Sequence, residues 1–191
     1  GIDEAGRGSW AGPLVVGMVI LPQDFHKKNI MVQDSKKLSP KKREELFARI
    51  CESASWSAKI IDPPQIDELG IGEATSHAVR ALLSGDAQPD YALIDHMNTP
   101  LRLTLPHELI INGDGQSPSI AAASIIAKVT RDRIMKELHS TFPQYAFGSH
   151  KGYGTAAHRT ALDAHGPCAL HRKSYKPIQK YGFERSNSQV P

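Results

Sequence analysis

Cysteine is nearly absent. The 191 residues hold only Cys51 and Cys168, too few for a disulfide framework and neither of them in a CxxC pair. Both thiols are expected to be buried and reduced, which points to the cytoplasm. Long apolar runs are missing too. The longest, Leu14 to Leu21, falls far short of the roughly 20 residues that span a bilayer. It reads as a buried strand, and no membrane partner is expected. No HExxH and no paired Cys/His spacing offers a zinc site. The nine histidines are scattered, as surface and packing residues are. The chain opens on Gly1, with no initiator Met, and on an acidic pair where a leader peptide has basic residues. A secretory signal is therefore not expected, and a start slightly inside the natural sequence is. No repeat, low-complexity tract or linker divides it.

What is present is ordinary in amount and uneven in distribution. Hydrophobic residues make up 40% and charged residues 23%, which suits one domain with a sizeable core. From His150 to Pro191 seven Lys and Arg face two acids, whereas the preceding part is slightly acidic. A basic quarter on a mildly acidic body suits phosphate binding, and it equally describes a solvated basic tail. Strands are expected at Gly1–Glu4, Leu14–Leu21, Trp56–Ile61, Tyr91–Asp95 and Glu108–Ile111. Ser39-Pro40 starts a helix that runs to about Glu52 with Leu46, Phe47 and Ile50 inward. After a turn at Pro63-Pro64, Ile71–Leu83 reads as a helix with Ala74, Ala78, Ala81 and Leu82 inward. The clearest helix starts at Ser117-Pro118 and runs to about Leu138. A glycine-rich loop, His150 to Thr155, precedes a short helix from Ala156 to His165. The last residues, Ser186 to Pro191, are expected to be loosely packed. Strands clustered early and then alternating with helices indicate a mixed sheet flanked by helices.

Candidate chemistry begins at Gly1-Ile2-Asp3-Glu4-Ala5-Gly6-Arg7-Gly8. Paired carboxylates suit divalent metals, and Gly-Arg-Gly suits close backbone approach to a polyanion. Adjacent residues on a regular strand point to opposite faces, so Asp3 and Glu4 share a site only where the strand ends or bulges. An exposed acidic turn is the plain alternative. Asp95 closes an apolar run, where ligand sites of open α/β sheets gather, or else it initiates a turn. Asp114 precedes the long helix and could equally serve its N-terminus. Four such acids together would repel one another unless cations neutralise them. An all-carboxylate cluster suits two Mg²⁺ or Mn²⁺ ions working on a phosphate. Ser124, Lys128 and Arg131 form one polar stripe on the long helix. Tyr153 is presented between glycines, either to stack on a sugar or base or simply to pack in the loop.

These residues together resemble bacterial ribonuclease HII, the type 2 ribonuclease H. The ordered set comprises Asp3 to Gly8 with Ala11-Gly12-Pro13, Asp34 to Leu38, Asp95, Gly113-Asp114, Ile120 to Lys128 with Arg131-Asp132, His150 to Thr155, and His171-Arg172. The resemblance implies an α/β, ribonuclease H-like mixed five-stranded sheet flanked by helices. Its catalytic core would cover residues 1–145. A small C-terminal helical extension, 146–191, would carry the substrate-binding loop within the same compact unit. It further implies that Asp3, Glu4, Asp95 and Asp114 are catalytic acids holding two Mg²⁺ or Mn²⁺ ions, Asp114 being the one that binds weakly or shifts. Gly6, Arg7 and Gly8 would read a ribose 2′-hydroxyl, and Tyr153 would stack on the following deoxyribose.

The implied reaction cuts the RNA strand of RNA–DNA hybrids and incises 5′ of single ribonucleotides in duplex DNA, leaving a 3′-hydroxyl and a 5′-phosphate. Lys128, Arg131 and Lys36 are expected to contact phosphates, and a monomer is expected. Ser9-Trp10 stands where the family usually has Pro-Leu. His96 follows Asp95 where the family often has a small residue, which leaves the choice between Mg²⁺ and Mn²⁺ open. A binding subunit of the same fold without chemistry, and a resolvase- or integrase-type nuclease, are the competing readings.

Overall fold

A computed structural model describes residues 1–28, 30, 32 and 38–182. The Asp34 to Lys37 stretch, Lys36 included, and the end from Ser186 to Pro191 lie outside the described residues. Five strands form one sheet in the order β3-β2-β1-β4-β5. They are β1 Ile2–Ala5, β2 Leu14–Ile20, β3 Ser55–Ile61, β4 Ala92–Asp95 and β5 His107–Ile110. The first three pair antiparallel, while β4 and β5 run parallel to β1. The carboxyl ends of β1, β4 and β5 therefore meet on one side of the sheet.

β2 is apolar throughout because helices cover both its faces. Leu14, Val16 and Met18 pack toward α2, Pro63–Leu83, through Ile66, Ala74, Ala78, Val79 and Leu82. Val19, on the other face, joins Leu46 and Ile50 of α1, Pro40–Ser53, and Ala122, Ile125 and Ile126 of α3, Pro118–Thr141. The period of two along β2 thus sorts its residues into two helix layers. Gly17 lets α3 come close, since a Cβ there would lie 2.5 Å from the carbonyl oxygen of Ala123. This explains why the start of α3 is apolar all round: it lies directly on the sheet.

Two expectations change at α2. Pro63-Pro64 does not make a turn but opens the helix, behind Asp62, whose N–H is bonded to Gln65 Oε1 at 3.4 Å. Proline suits the first helical turn, where its missing N–H has no partner to lose. The helix is broken at Gly70, in the left-handed region at φ 74°, so Ile71 does begin a straight segment. Ala81 is exposed, whereas Ala74, Ala78 and Leu82 are buried.

After α3 come a helical turn, α4 Phe147–His150, the loop to Thr155, α5 Ala156–His165 and α6 Lys176–Gln179. These elements bury Tyr145, Phe147, Leu162 and Ile178 against Ala11 and Met135, a further core shared with the loop after β1 and with α3. Asp67 of α2 adds a polar tie, accepting from the backbone N–H groups of Lys173 and Ser174 at 2.9 and 2.8 Å.

Candidate active site

Asp3 and Glu4 lie inside β1, in regular register with Gly17 and Val16 of β2. Even so, both line one cleft of about 390 Å³ at the carboxyl end of the strand, together with Asp95, Ser124, Lys128 and Tyr153. Asp3 Oδ1 accepts the N–H of Glu4 at 2.7 Å, which turns its carboxylate along the strand toward the cleft. Gly6, Arg7 and Gly8 complete the lining.

Asp3 is 4% exposed. Burial pushes its carboxyl well above the usual carboxylate range, and the charges of Glu4 and Asp95 push it further; the Glu4 N–H and the Ser124 hydroxyl oppose them. Ser124, noted in the sequence only as part of a stripe, is thus a direct partner of Asp3. Asp95 Oδ1 accepts the N–H of Gly113 at 2.7 Å, which ties β4 to the 3-10 turn Gly113–Gly115. Asp114, next in that turn, is buried and does not line the cleft. The structure therefore brings three of the four acids together and leaves the fourth beside them.

Among the described residues no three acidic, histidine or cysteine side chains form a preformed metal cage. The donor set still fits a hard cation. Mg²⁺ is commonly held by one or two carboxylates, with water and substrate phosphate filling its other positions. Asp3, Glu4 and Asp95 offer that kind of open, all-oxygen set, and their mutual repulsion is what a cation would relieve. His96 is exposed and not part of the cleft lining.

The cationic residues divide sharply. Lys128 lines the cleft and pairs with Asp132 at 2.8 Å. Arg7 donates to the carbonyl of Met97 at 3.0 Å. Arg131 does not reach the surface, as a phosphate contact requires: it is fully buried, and burial lowers its pKa to about 10. Its Nε donates to the carbonyl of Pro13 at 2.8 Å, and Nη2 donates to Ser9 Oγ at 2.8 Å and to the carbonyl of Ala11 at 3.2 Å. Gly6 is left-handed at φ 89° and has no room for a Cβ beside this guanidinium.

A second buried arginine, Arg172, donates twice to the carbonyl of Gly12, at 3.1 and 2.9 Å, and once to that of Arg7 at 2.9 Å. Tyr175 adds a hydroxyl bond to the same Arg7 carbonyl at 2.6 Å. Two guanidiniums thus hold the loop between β1 and β2 from beneath by its carbonyl oxygens. Nothing in the spacing of Arg131 and Arg172 separates them from surface arginines, so their role emerges only from the fold.

Tyr153 is 38% exposed at the cleft, with its ring centroid 5.4 Å from Arg131 Cζ. The preceding Gly152, at φ 79°, receives the N–H groups of Trp10 and Ala11 on its carbonyl at 2.8 and 3.3 Å. A Cβ on Gly152 would lie 2.2 Å from the carbonyl oxygen of Ala11. Gly152→Ala is therefore expected to cost about 2 kcal/mol or more, through the unfavourable backbone and the forced separation of the two loops. Thermal unfolding checks this, and a melting temperature within a degree or so of the parent would contradict it. Trp10 packs against Gly154, where a Cβ would be 2.2 Å from the ring.

A mixed sheet in this order, with acids gathered where parallel β1 and β4 end, has the architecture expected of the ribonuclease H-like class, in which the site and not the fold carries the activity. Comparison with known proteins narrows that class. The family model for ribonuclease HII matches residues 1–178. The chain is 48% identical over 187 residues to ribonuclease HII of Chlamydia muridarum, covering 94% of this chain and 82% of that one. It is 46% identical over 181 residues to ribonuclease HII of Rhizobium etli, covering 94% and 78%. The ribonuclease HII in a PCNA:RNase HII complex from Archaeoglobus fulgidus superposes with a TM-score of 0.80 at 28% identity, over 97% of each chain. The chain belongs to the ribonuclease HII family and is a ribonuclease H enzyme, not a binding subunit without chemistry.

Proposed function

We propose that this ribonuclease H hydrolyses the RNA strand of RNA–DNA hybrids and incises 5′ of single ribonucleotides in duplex DNA, leaving a 3′-hydroxyl and a 5′-phosphate. One observation carries the reading: Asp3, Glu4 and Asp95 share a cleft with Gly6-Arg7-Gly8 and Tyr153. A phosphate at the acids thereby has a sugar-reading loop and an aromatic ring beside it. Asp3, Glu4 and Asp95, joined by Asp114, would hold Mg²⁺ or Mn²⁺. When bound, such ions supply an activated water and stabilise charge on the phosphate and leaving oxygen.

The protein's own groups orient the substrate. The carbonyls of Arg7 and Gly12 are held from below by Arg172, so the loop is rigid where it approaches the ribose. The 2′-hydroxyl read there separates RNA from DNA. Lys128 supplies positive charge for a phosphate. Arg131 acts from beneath, holding the loop and supporting the Tyr153 ring. Tyr153 stacks on the sugar after the ribonucleotide.

Cleavage of duplex DNA carrying one ribonucleotide, with Mg²⁺ or Mn²⁺ and beside an all-DNA control, tests the reading. Incision 5′ of the ribonucleotide is expected, and Asp95→Asn is expected to lose it. Tyr153→Ala should lower activity on the single-ribonucleotide substrate by about tenfold or more, the usual worth of one stacking contact, and much less on a long hybrid. Cleavage of hybrids with no incision at a lone ribonucleotide would remove the second half of the proposal.

A further inference from the structure

Behind Tyr153 lie three imidazoles that the scattered histidines of the sequence did not foreshadow. His158 and His171 are essentially unexposed, at 0% and 1%. Their Nε2 atoms are 3.0 Å apart. His158 Nδ1 lies 3.0 Å from the carbonyl oxygen of Tyr153, and His171 Nδ1 receives the backbone N–H of Cys168 at 2.9 Å.

These partners permit one arrangement of protons. A backbone N–H can only donate, so His171 Nδ1 is an acceptor and the neutral ring carries its proton on Nε2. A carbonyl can only accept, so His158 carries its proton on Nδ1 and its Nε2 accepts from His171. The Cys168 thiol, whose pKa burial pushes to about 11, stays protonated and lies 3.2 Å from the same His171 Nδ1, whose one lone pair the Cys168 N–H already takes. In this tautomer the 3.3 Å approach of the Cys168 carbonyl to the same nitrogen is not a hydrogen bond.

The third ring, His150, stacks on His158 with centroids 4.5 Å apart. Its Nε2 donates to the carbonyl of Tyr145 at 2.7 Å, and its Nδ1 accepts the N–H of Gly152 at 3.2 Å. The Gly152–Tyr153 backbone is thus gripped at the N–H of one residue and the carbonyl of the next. A packing role alone would be served by any ring of this size, but two of these bonds, from His150 Nδ1 and His158 Nδ1, end on the segment that presents Tyr153.

We propose that His158 and His171 are positioning residues for the Tyr153 platform. A one-way relay of neutral imidazoles, from the Cys168 N–H to the Tyr153 carbonyl, sets where the ring stands. It thereby sets how strongly the enzyme favours a ribonucleotide followed by DNA over a continuous hybrid. The inference rests on the reading of Tyr153 given above. Burial supports the neutral state, holding both rings at about 4; a proton added to His158 would set two N–H groups head to head at the Nε2 contact, and one added to His171 would face the Cys168 N–H.

Steady-state cleavage of two substrates, a single-ribonucleotide duplex and a long hybrid, tests it in four variants: His158→Phe, His158→Asn, Tyr153→Ala and His158→Phe with Tyr153→Ala. His158→Phe keeps the ring and loses both nitrogens. It should raise KM on the single-ribonucleotide duplex by about tenfold and on the hybrid by far less, following the loss of stacking. His158→Asn, whose amide N–H can reach the Tyr153 carbonyl, should recover most of the difference. The double variant should discriminate no worse than Tyr153→Ala. Equal losses on both substrates, or losses in the ratio that add in the double variant, would overturn the positioning role.

If Tyr153→Ala leaves the ratio unchanged, the platform reading fails and takes this role with it. If Tyr153→Ala loses the ratio and His158→Phe keeps it, the positioning role alone fails. Nitrogen NMR of the unmodified chain gives a check that no variant's folding can spoil. His158 and His171 should appear as opposite neutral tautomers from about pH 8 to pH 5. Finding one tautomer on both rings, or protonation near pH 6, would overturn the relay.

Discussion

Asp3→Asn is expected to abolish cleavage while leaving the folded chain more stable in the absence of divalent metal. The carboxyl is buried and stands beside Glu4 and Asp95. Its pKa is raised, so at pH values between the ordinary carboxylate range and the raised value the folded state holds a proton that the unfolded chain has released. Stability from this group is full below the unfolded value and declines as pH rises toward the folded one. Ionising this buried acid costs stability, and an amide of the same shape removes that cost. Turnover should fall by at least about 10³-fold, as when one preorganised charge-stabilising group is lost. Melting curves supply a second readout. Mg²⁺ or Mn²⁺ should raise the melting temperature of the parent chain and much less that of the variant. Activity within tenfold of the parent would remove Asp3 from the chemistry. A lowered melting temperature without metal would make it a structural acid.

Arg172→Met should be the most destabilising of the single changes considered. The side chain is fully buried and bonds the carbonyls of Gly12 and Arg7 and the hydroxyl of Tyr175. Methionine fills much of the space but leaves the Gly12 carbonyl without its side-chain donor and the Arg7 carbonyl with the Tyr175 hydroxyl alone. Each buried hydrogen bond to a charged donor contributes about 1.5 to 3 kcal/mol, so losing the set costs about 3 to 5 kcal/mol. In a domain of this size that corresponds to roughly 10 °C or more in melting temperature. Arg172→Lys should not restore it, because one ammonium cannot reproduce a planar fork aimed at separate carbonyls. Cleavage should also fall below the melting transition, since the Arg7 carbonyl belongs to the Gly6-Arg7-Gly8 loop that lines the cleft. A shift under about 2 °C for Arg172→Met would show that the loop holds its shape without this support.

Much of the architecture was legible in local pattern. The continuous apolar run at Leu14 marks a strand covered on both faces, and the structure has it at Leu14–Ile20. Ser39-Pro40 marks the start of α1, where the Ser39 hydroxyl accepts the N–H of Lys42. The short helix after Thr155 runs from Ala156 to His165 as expected. Such signals are readable because caps, prolines and periodicity act within a few residues. The misreading at Pro63-Pro64 has the same origin. Two prolines are as suitable for a helix start as for a turn, and only the packing of Ile66 into the core decides between them.

The acids were legible as candidates one at a time, because a carboxylate after an apolar run stands out. That Asp3 and Glu4 face one cleft despite neighbouring positions on a strand was not, since it depends on how β1 ends beside β4. Arg131 shows the opposite failure. Its helical stripe with Ser124 and Lys128 was correctly placed on one face of α3, but that face passes beneath the loop after β1 before it reaches solvent.

The sequence by itself thus marked most of the elements and the sheet class, and each acid as a candidate, because those signals lie in local chemistry and order along the chain. Only the tertiary structure decided which polar groups are buried and against what. Arg131 meets Ser9 across 122 positions, and Arg172 meets Arg7 across 165. His158 meets His171 only because α5 and the segment after it fold back over the loop. Contacts at such separations carry no local signal, because they exist only once the intervening chain has closed around them.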